Sequence, residues 1–249
     1  MKIRIQDHLD STYLKTPEQA GISKEETRQK VIDLVQECID NGFVLAMIRP
    51  EYVSLAKKMI QKAQAKVFVG TVIGFHQGTA SIEEKLQEAQ KAIDDQVDEL
   101  DYVINYTAFK QGNTDLVKEE VLKGTRLGLE NNKKVKWIIE IAALDNSQIA
   151  AITRLIRDVV VENFSENHYA DVFVKSSTGF YQTENNKPVG ATFEGMQIIK
   201  DNAGPLSIKA AGGVRSYDDA VKMIQLGVSR IGTSSAKKIA DGETAKEGY

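Results

Sequence analysis

The 249-residue sequence predicts an α/β protein, a single-domain (β/α)8 TIM barrel, and three observations carry that expectation. Apolar runs of strand length alternate with amphipathic segments of helix length; the strands number eight; and no GxGxxG follows the first strand, where an open doubly wound sheet would place it. The length is that of one such barrel, and four prolines with no Gly/Ser-rich tract leave no evident linker. A flexible tail is expected from about residue 240 onward.

In order, the strands are Leu9 to Tyr13, "FVLAMI" from Phe43, "KVFVGTVIGF" from Lys66 and "ELDYVINY" from Glu99. They continue with "VKWIIEI" from Val135, "ADVFVKSS" from Ala170, "LSIKAAGG" from Leu206 and "VSRIGTSS" from Val228. Helical patterns lie between them over Lys24–Asn41, Glu51–Gln64, Ser81–Gln96, Thr114–Asn131, Asn146–Asn163, Thr192–Asn202 and Asp218–Leu226. Ser23 with Glu26 three residues on reads as a capping box, and Asn41-Gly42 closes that helix. Strands alternating with helices imply parallel pairing through right-handed crossovers. In a barrel of this kind the chemistry gathers at the C-terminal ends of the strands.

An apolar fraction of 42% and a charged fraction of 27% are those of a soluble globule. The net charge of −3, with acidic and basic residues interspersed, leaves no basic stripe for a nucleic acid. The N-terminus has no apolar signal core and no stretch approaches a membrane span, so a cytoplasmic chain without nucleic-acid or membrane partners is expected. The single cysteine, Cys38, lies in a helical segment and reads as structural in a reducing compartment.

Three lysines interrupt apolar strands: Lys136 in "VKWIIE", Lys175 in "VFVKSS" and Lys209 in "SIKAAGG". A buried, unpaired ammonium is costly, so such groups are paired, reach solvent or are held for chemistry. If all three face inward they meet at one mouth, where repulsion and desolvation depress at least one pKa. A lysine that is neutral near pH 7 is an amine nucleophile able to form a Schiff base with a carbonyl. Asp101 sits inside another apolar strand, on the face opposite Leu100 and Tyr102, and pairs with the lysines if that face is inward. Asp10 is placed to join it. Glu140 shares a face with Lys136 at too long a range to pair with it, and is expected to pair with a charge on a neighbouring strand.

The segments after Lys175 ("SSTG"), after Lys209 ("AAGGVR") and at the end of the last strand ("GTSS") offer backbone N–H groups and hydroxyls to an anion. The last two follow strands seven and eight, the usual place of a barrel's phosphate site. The histidines His8, His76 and His168 are scattered without metal-ligand spacing, so neither metal nor cofactor is expected.

Together "LDSTYLK", "ELDYVINYTAFKQGN", "DVFVKSSTGF", "IKAAGGVRSYDDA" and "GVSRIGTSS" resemble the deoxyribose-phosphate aldolase family, in order and with similar spacing from about Leu9 to the "GTSS" segment. The resemblance implies a class I, cofactor-free aldolase that interconverts 2-deoxyribose 5-phosphate with glyceraldehyde 3-phosphate and acetaldehyde. It implies Lys175 as the Schiff-base lysine, Lys209 as the second lysine that depresses its pKa and relays protons, and Asp101 as the acid/base group. Asp10 and Thr12 would lie near the substrate, Thr178 beside the imine, and Lys136 near the site. Gly179, Gly212, Gly213, Gly232, Ser234 and Ser235 match phosphate-binding positions. Tyr249 stands where some members reach into the site with a C-terminal tyrosine. A homodimer is the assembly carried forward.

Three departures stand out. Met47 occupies a position where many members have a cysteine, Arg49 adds a charge nearby, and "YQTENNKPVG" lengthens the loop after Phe180. Two other readings stay open: a different phosphosugar aldolase or an isomerase on the same barrel, and a non-catalytic phosphate-ligand-binding barrel.

Overall fold

In a computed structural model, residues 3–183 and 188–244 are described. Eight parallel strands close in sequence order, with β8 returning to β1. They are β1 Leu9–Thr12, β2 Leu45–Ile48, β3 Phe68–Ile73, β4 Glu99–Val103, β5 Lys134–Ile138, β6 Val172–Lys175, β7 Ser207–Ala211 and β8 Arg230–Thr233. Each expected strand is present, most of them shortened to the residues that pair, while β5 begins one residue early at Lys134. Tyr106, read as the end of a strand, instead starts a short helix, because Asn105 caps it by accepting from the Ala108 N–H.

The helices are α1 Pro17–Ala20, α2 Lys24–Asn41, α3 Val53–Ala63, α4 Ile82–Asp94, α5 Tyr106–Lys110, α6 Thr114–Glu130, α7 Asn146–Asn163, α8 Phe193–Asn202, α9 Tyr217–Leu226 and α10 Ala236–Ala240. α2 and α7 have the bounds that the sequence pattern sets, because both ends of α2 and the start of α7 carry strong signals. Ser23 and Glu26 form the capping box of α2, and Gly42 ends it at φ 65°. Asp145 and Gln148 box the start of α7. The short α1, α5 and α10 have too few turns to show a periodicity.

Outward strand faces pack beneath the helices. Tyr102 of β4 stacks on Trp137 of β5 with centroids 4.8 Å apart, and the indole N–H donates to Thr125 Oγ1 of α6 at 3.0 Å. Gly124 of α6 makes that close approach workable, since a Cβ there would stand 2.7 Å from the Trp137 ring. The inward faces divide into two halves. On the β2–β3 side Leu45, Met47 and Val72 form an apolar cluster with Leu14. Gly70 leaves room for it, because a Cβ there would meet Met47 Cε at 2.6 Å. The half formed by β4 to β8 and β1 is ionic, and it holds the candidate site.

Candidate active site

Strand alternation turns Glu99 and Asp101, Lys136, Lys175, Lys209, Arg230 and Asp10 into the barrel. The parallel register then sets Asp101 beside Lys136, Lys175 beside Lys209, and Lys209 beside Arg230. All three lysines reach the Asp101 carboxylate. Lys136 lies 2.6 Å from Oδ1, while Lys175 at 2.8 Å and Lys209 at 3.0 Å share Oδ2. Lys209 also meets Asp10 at 2.6 Å, and Lys136 meets Glu99 at 2.5 Å. Beneath them the Arg230 guanidinium bridges Asp10 at 2.7 Å and Glu99 at 3.1 Å.

Glu99 and Arg230 were missed as site members, although the signal was available. Glu99 is two residues from Asp101 and therefore on the same face, and Arg230 is a buried cation within a strand.

The network unites three carboxylates, Asp10, Glu99 and Asp101, with four cationic side chains, Lys136, Lys175, Lys209 and Arg230. Fully ionised, it carries one surplus positive charge where water cannot screen it. Burial would raise the Asp101 pKa, but Lys136, Lys175 and Lys209 hold its carboxyl well below the usual range. Asp10 is lowered against the same burial by Arg230 and Lys209. Lys136 is raised, since Asp101 and Glu99 outweigh its desolvation. Lys175 goes the other way: burial drives its pKa down to about 8, Asp101 opposes the shift, and the Lys209 charge reinforces it. Loss of the Lys175 proton neutralises the network and leaves a free amine at the upper end of the barrel.

The loops above follow from backbone geometry. Gly179, Gly212 and Gly213 adopt φ values of 83°, 68° and 76°, which favour glycine. The close approach of the β6–α8 and β7–α9 loops adds a second demand, because a Cβ on Gly213 would lie 2.4 Å from Ala191 O. The Gly212 N–H donates to Gly232 O at 3.1 Å, tying the turn after β7 to β8. Gly232 lies within β8, where a Cβ would stand 3.2 Å from Lys209 Cε. The missing side chain leaves room there for the second lysine. Ser234 is exposed at the rim, and the Ser235 N–H donates to Thr233 Oγ1 at 3.1 Å. Thr12 is buried and donates to Asp10 O at 2.9 Å.

Glu140 does not pair with a charge on a neighbouring strand. It lies just past the end of β5 at φ 55°, and its Oε2 accepts from the hydroxyl and, at 3.1 Å, from the N–H of Thr178. Met47 is fully buried in the apolar half. Arg49 donates to Leu14 O at 2.8 Å and lies over Phe75, whose ring meets Phe180 edge-on. Tyr249 and residues 184–187 of the long loop lie outside the described residues. Among the described residues no group of three or more His, Cys, Asp or Glu side chains is arranged to hold a metal ion, and no helix is long and apolar enough to cross a membrane.

No family model matches the chain. Curated relatives do. A deoxyribose-phosphate aldolase of Thermococcus gammatolerans is 37% identical over 217 residues, 87% of this chain and 89% of the relative. One from Streptococcus gordonii is 34% identical over 248 residues, 99% and 100% of the two chains. The tetrameric deoxyribose phosphate aldolase of Aeropyrum pernix superposes with a TM-score of 0.75 at 31% identity, covering 95% of this chain and 89% of that one. With this sequence similarity along nearly the whole length and the same closed barrel, the chain belongs to the deoxyribose-phosphate aldolase family, the class I aldolases among carbon–carbon lyases.

Proposed function

We propose that the chain cleaves 2-deoxy-D-ribose 5-phosphate reversibly to D-glyceraldehyde 3-phosphate and acetaldehyde through a Schiff base on Lys175. The observation that carries this reading is the burial of Lys175 in a barrel network with one surplus cation, where desolvation first and the Lys209 charge after it bring its pKa down to about 8. Its amine adds to the C1 carbonyl of the open-chain sugar, and loss of water gives the iminium. Removal of the C3 hydroxyl proton lets the C2–C3 bond break. Its electron pair moves into the iminium, leaving an enamine and releasing glyceraldehyde 3-phosphate. Protonation at C2 and hydrolysis of the imine then free acetaldehyde and Lys175.

Lys209 supplies the neighbouring positive charge and relays protons. Asp101, kept ionised by its lysines, conducts the proton between them rather than storing it, and Asp10 holds Lys209 in place. Lys136 anchors Asp101 from the other side. Thr178 follows the imine lysine closely, and Gly179, Gly212, Gly213, Gly232, Ser234 and Ser235, at the ends of β6, β7 and β8, are the phosphate-binding set. Thr12 completes the substrate-facing set, and Tyr249 is taken, from the family resemblance alone, as a proton-transfer participant. The enzyme acts in the cytoplasm, where the buried Cys38 stays reduced, and assembles as a homo-oligomer of which the homodimer is the smallest form; light scattering separates it from a tetramer.

Borohydride added with deoxyribose 5-phosphate should leave a stable adduct that peptide mapping assigns to Lys175. An unmodified intact mass with active-site occupancy established by substrate binding would sink the imine mechanism.

A further inference from the structure

Glu140 is a buried carboxyl that the mechanism above does not use. Its backbone adopts φ 55° and ψ 71°, a left-handed conformation uncommon for a residue with a Cβ. Such a conformation persists where the surroundings enforce it. The enforcing contacts run to the loop after the imine lysine. The Ile139 N–H donates to Lys175 O at 3.0 Å and the Ile141 N–H to Ser176 O at 2.9 Å, so the backbone on both sides of Glu140 is fastened to β6 and its extension. The side chain closes the bracket by accepting from the Thr178 hydroxyl and N–H through Oε2. Thr178 Oγ1 in turn accepts from the Phe180 N–H at 3.0 Å, spanning Gly179. One carboxylate oxygen thereby fixes the turn from Ser176 to Phe180.

The other oxygen, Oε1, is also buried. We propose that Glu140 is a positioning residue for the phosphosugar: through Thr178 it holds the turn that presents Thr178 and Gly179 to the substrate, and it does so more firmly ionised than protonated. The proposal rests on the aldolase reading above.

The charge dependence follows from the neighbours. Burial raises the Glu140 pKa to about 7, while the two Thr178 bonds, the Lys175 charge and the Ala142 N–H favour the ionised form. The titratable groups that face it are Lys175 from β6 and the Tyr106 phenol from α5, which is itself pushed up to about 12 by burial and then by Glu140. Bonds to an ionised acceptor are stronger than bonds to a neutral one, so protonation below about pH 7 loosens the turn.

The test is a split between KM and kcat with rescue by a conservative variant. In Glu140→Ala, KM for deoxyribose 5-phosphate should rise on the order of tenfold or more, because both Thr178 bonds are lost. The rate of borohydride trapping of acetaldehyde at Lys175, which needs no phosphate contact, should stay within about threefold. Glu140→Gln keeps a neutral acceptor, so its KM should lie only about threefold to fivefold above wild type at pH 8. The ratio of its KM to that of wild type should shrink toward one as pH falls through about 7, which removes the substrate phosphate's own titration from the comparison. Thr178→Val should reproduce the rise and be non-additive with Glu140→Ala.

An unchanged KM in Glu140→Ala, a Glu140→Gln variant as impaired as the alanine variant, or a KM ratio independent of pH would each overturn the proposal. Should wild type itself give no adduct, the aldolase reading fails instead. Calorimetry with inorganic phosphate then decides about Glu140, since affinity should fall in the alanine variant and fall less in the glutamine variant, and equal affinities in all three would overturn it.

Discussion

Among the described residues lysines are buried in two places, and the two environments differ in charge balance. Beneath the β3–α4 loop, Lys85 of α4 spends its ammonium on three acceptors: Gly78 O at 2.7 Å, Val103 O at 2.8 Å and the Glu120 carboxylate of α6. Glu120 in turn accepts from the Asn105 N–H at 2.9 Å. One cation meets one anion, and every donor of the ammonium is used. Inside the barrel, Lys175 donates to a single carboxylate oxygen that Lys209 also claims, in a network with four cations to three carboxylates. Burial is the largest cause at both lysines and lowers both pKa values; Glu120 counters it at Lys85 and Asp101 at Lys175, but at Lys175 the Lys209 charge then adds to it. The difference between the two sites is the extra cation beside Lys175.

The largest effect is expected where the amine itself is removed. Lys175→Met should lower kcat by at least about a thousandfold and abolish the borohydride adduct. Lys85→Met should leave the adduct in place and instead cost about 3–5 kcal/mol of stability, because a buried Glu120 loses its cation; denaturant unfolding measures it. If Lys85→Met stopped adduct formation in the folded protein, the two sites would not be separable as described.

Lys209→Leu removes the charge that depresses the nucleophile. The Lys175 pKa should rise, most activity at neutral pH should go, and the pH–rate profile should move to higher pH; an unmoved profile would show that desolvation alone sets the shift. In the wild type, the rate of adduct formation should climb as pH passes about 8 and then level, because the free base is the reacting form. Stability follows the same proton. A lysine whose folded pKa lies below its unfolded value of roughly 10.4 binds fewer protons when folded, so its contribution to stability rises with pH between about 8 and 10.4.

The smallest effect concerns the apolar half of the barrel. Wild type, with Met47 buried there, should lose activity slowly during prolonged incubation with acetaldehyde. Met47→Cys, which introduces a thiol, should lose it faster, and equal loss would refute the role given to that position.

Strand alternation made Asp101 and the three lysines legible, because a charge in an apolar run stands out whatever its partners are. Glu99 was just as visible, at the start of the same strand, yet its meaning depends on Arg230, 131 residues away in sequence. Gly232 matches a phosphate position in sequence, and that it also leaves space for Lys209 was not legible, since a missing side chain gives no sign of what fills its place. Glu140 shares the parity of Lys136, but β5 ends at Ile138, and the left-handed backbone beyond it redirects the side chain to Thr178.

By itself the sequence determined that eight strands alternate with helices and, at α2 and α7, where a helix begins, since capping residues, glycine stops and hydrophobic period act within a few residues of chain. It also determined which side chains would be costly to bury. The tertiary structure alone decided which of them meet, how many positive charges face how many negative ones, and so which lysine loses its proton. Those outcomes depend on strand register and barrel closure, and Coulomb interactions among buried groups depend on distances that no local pattern encodes.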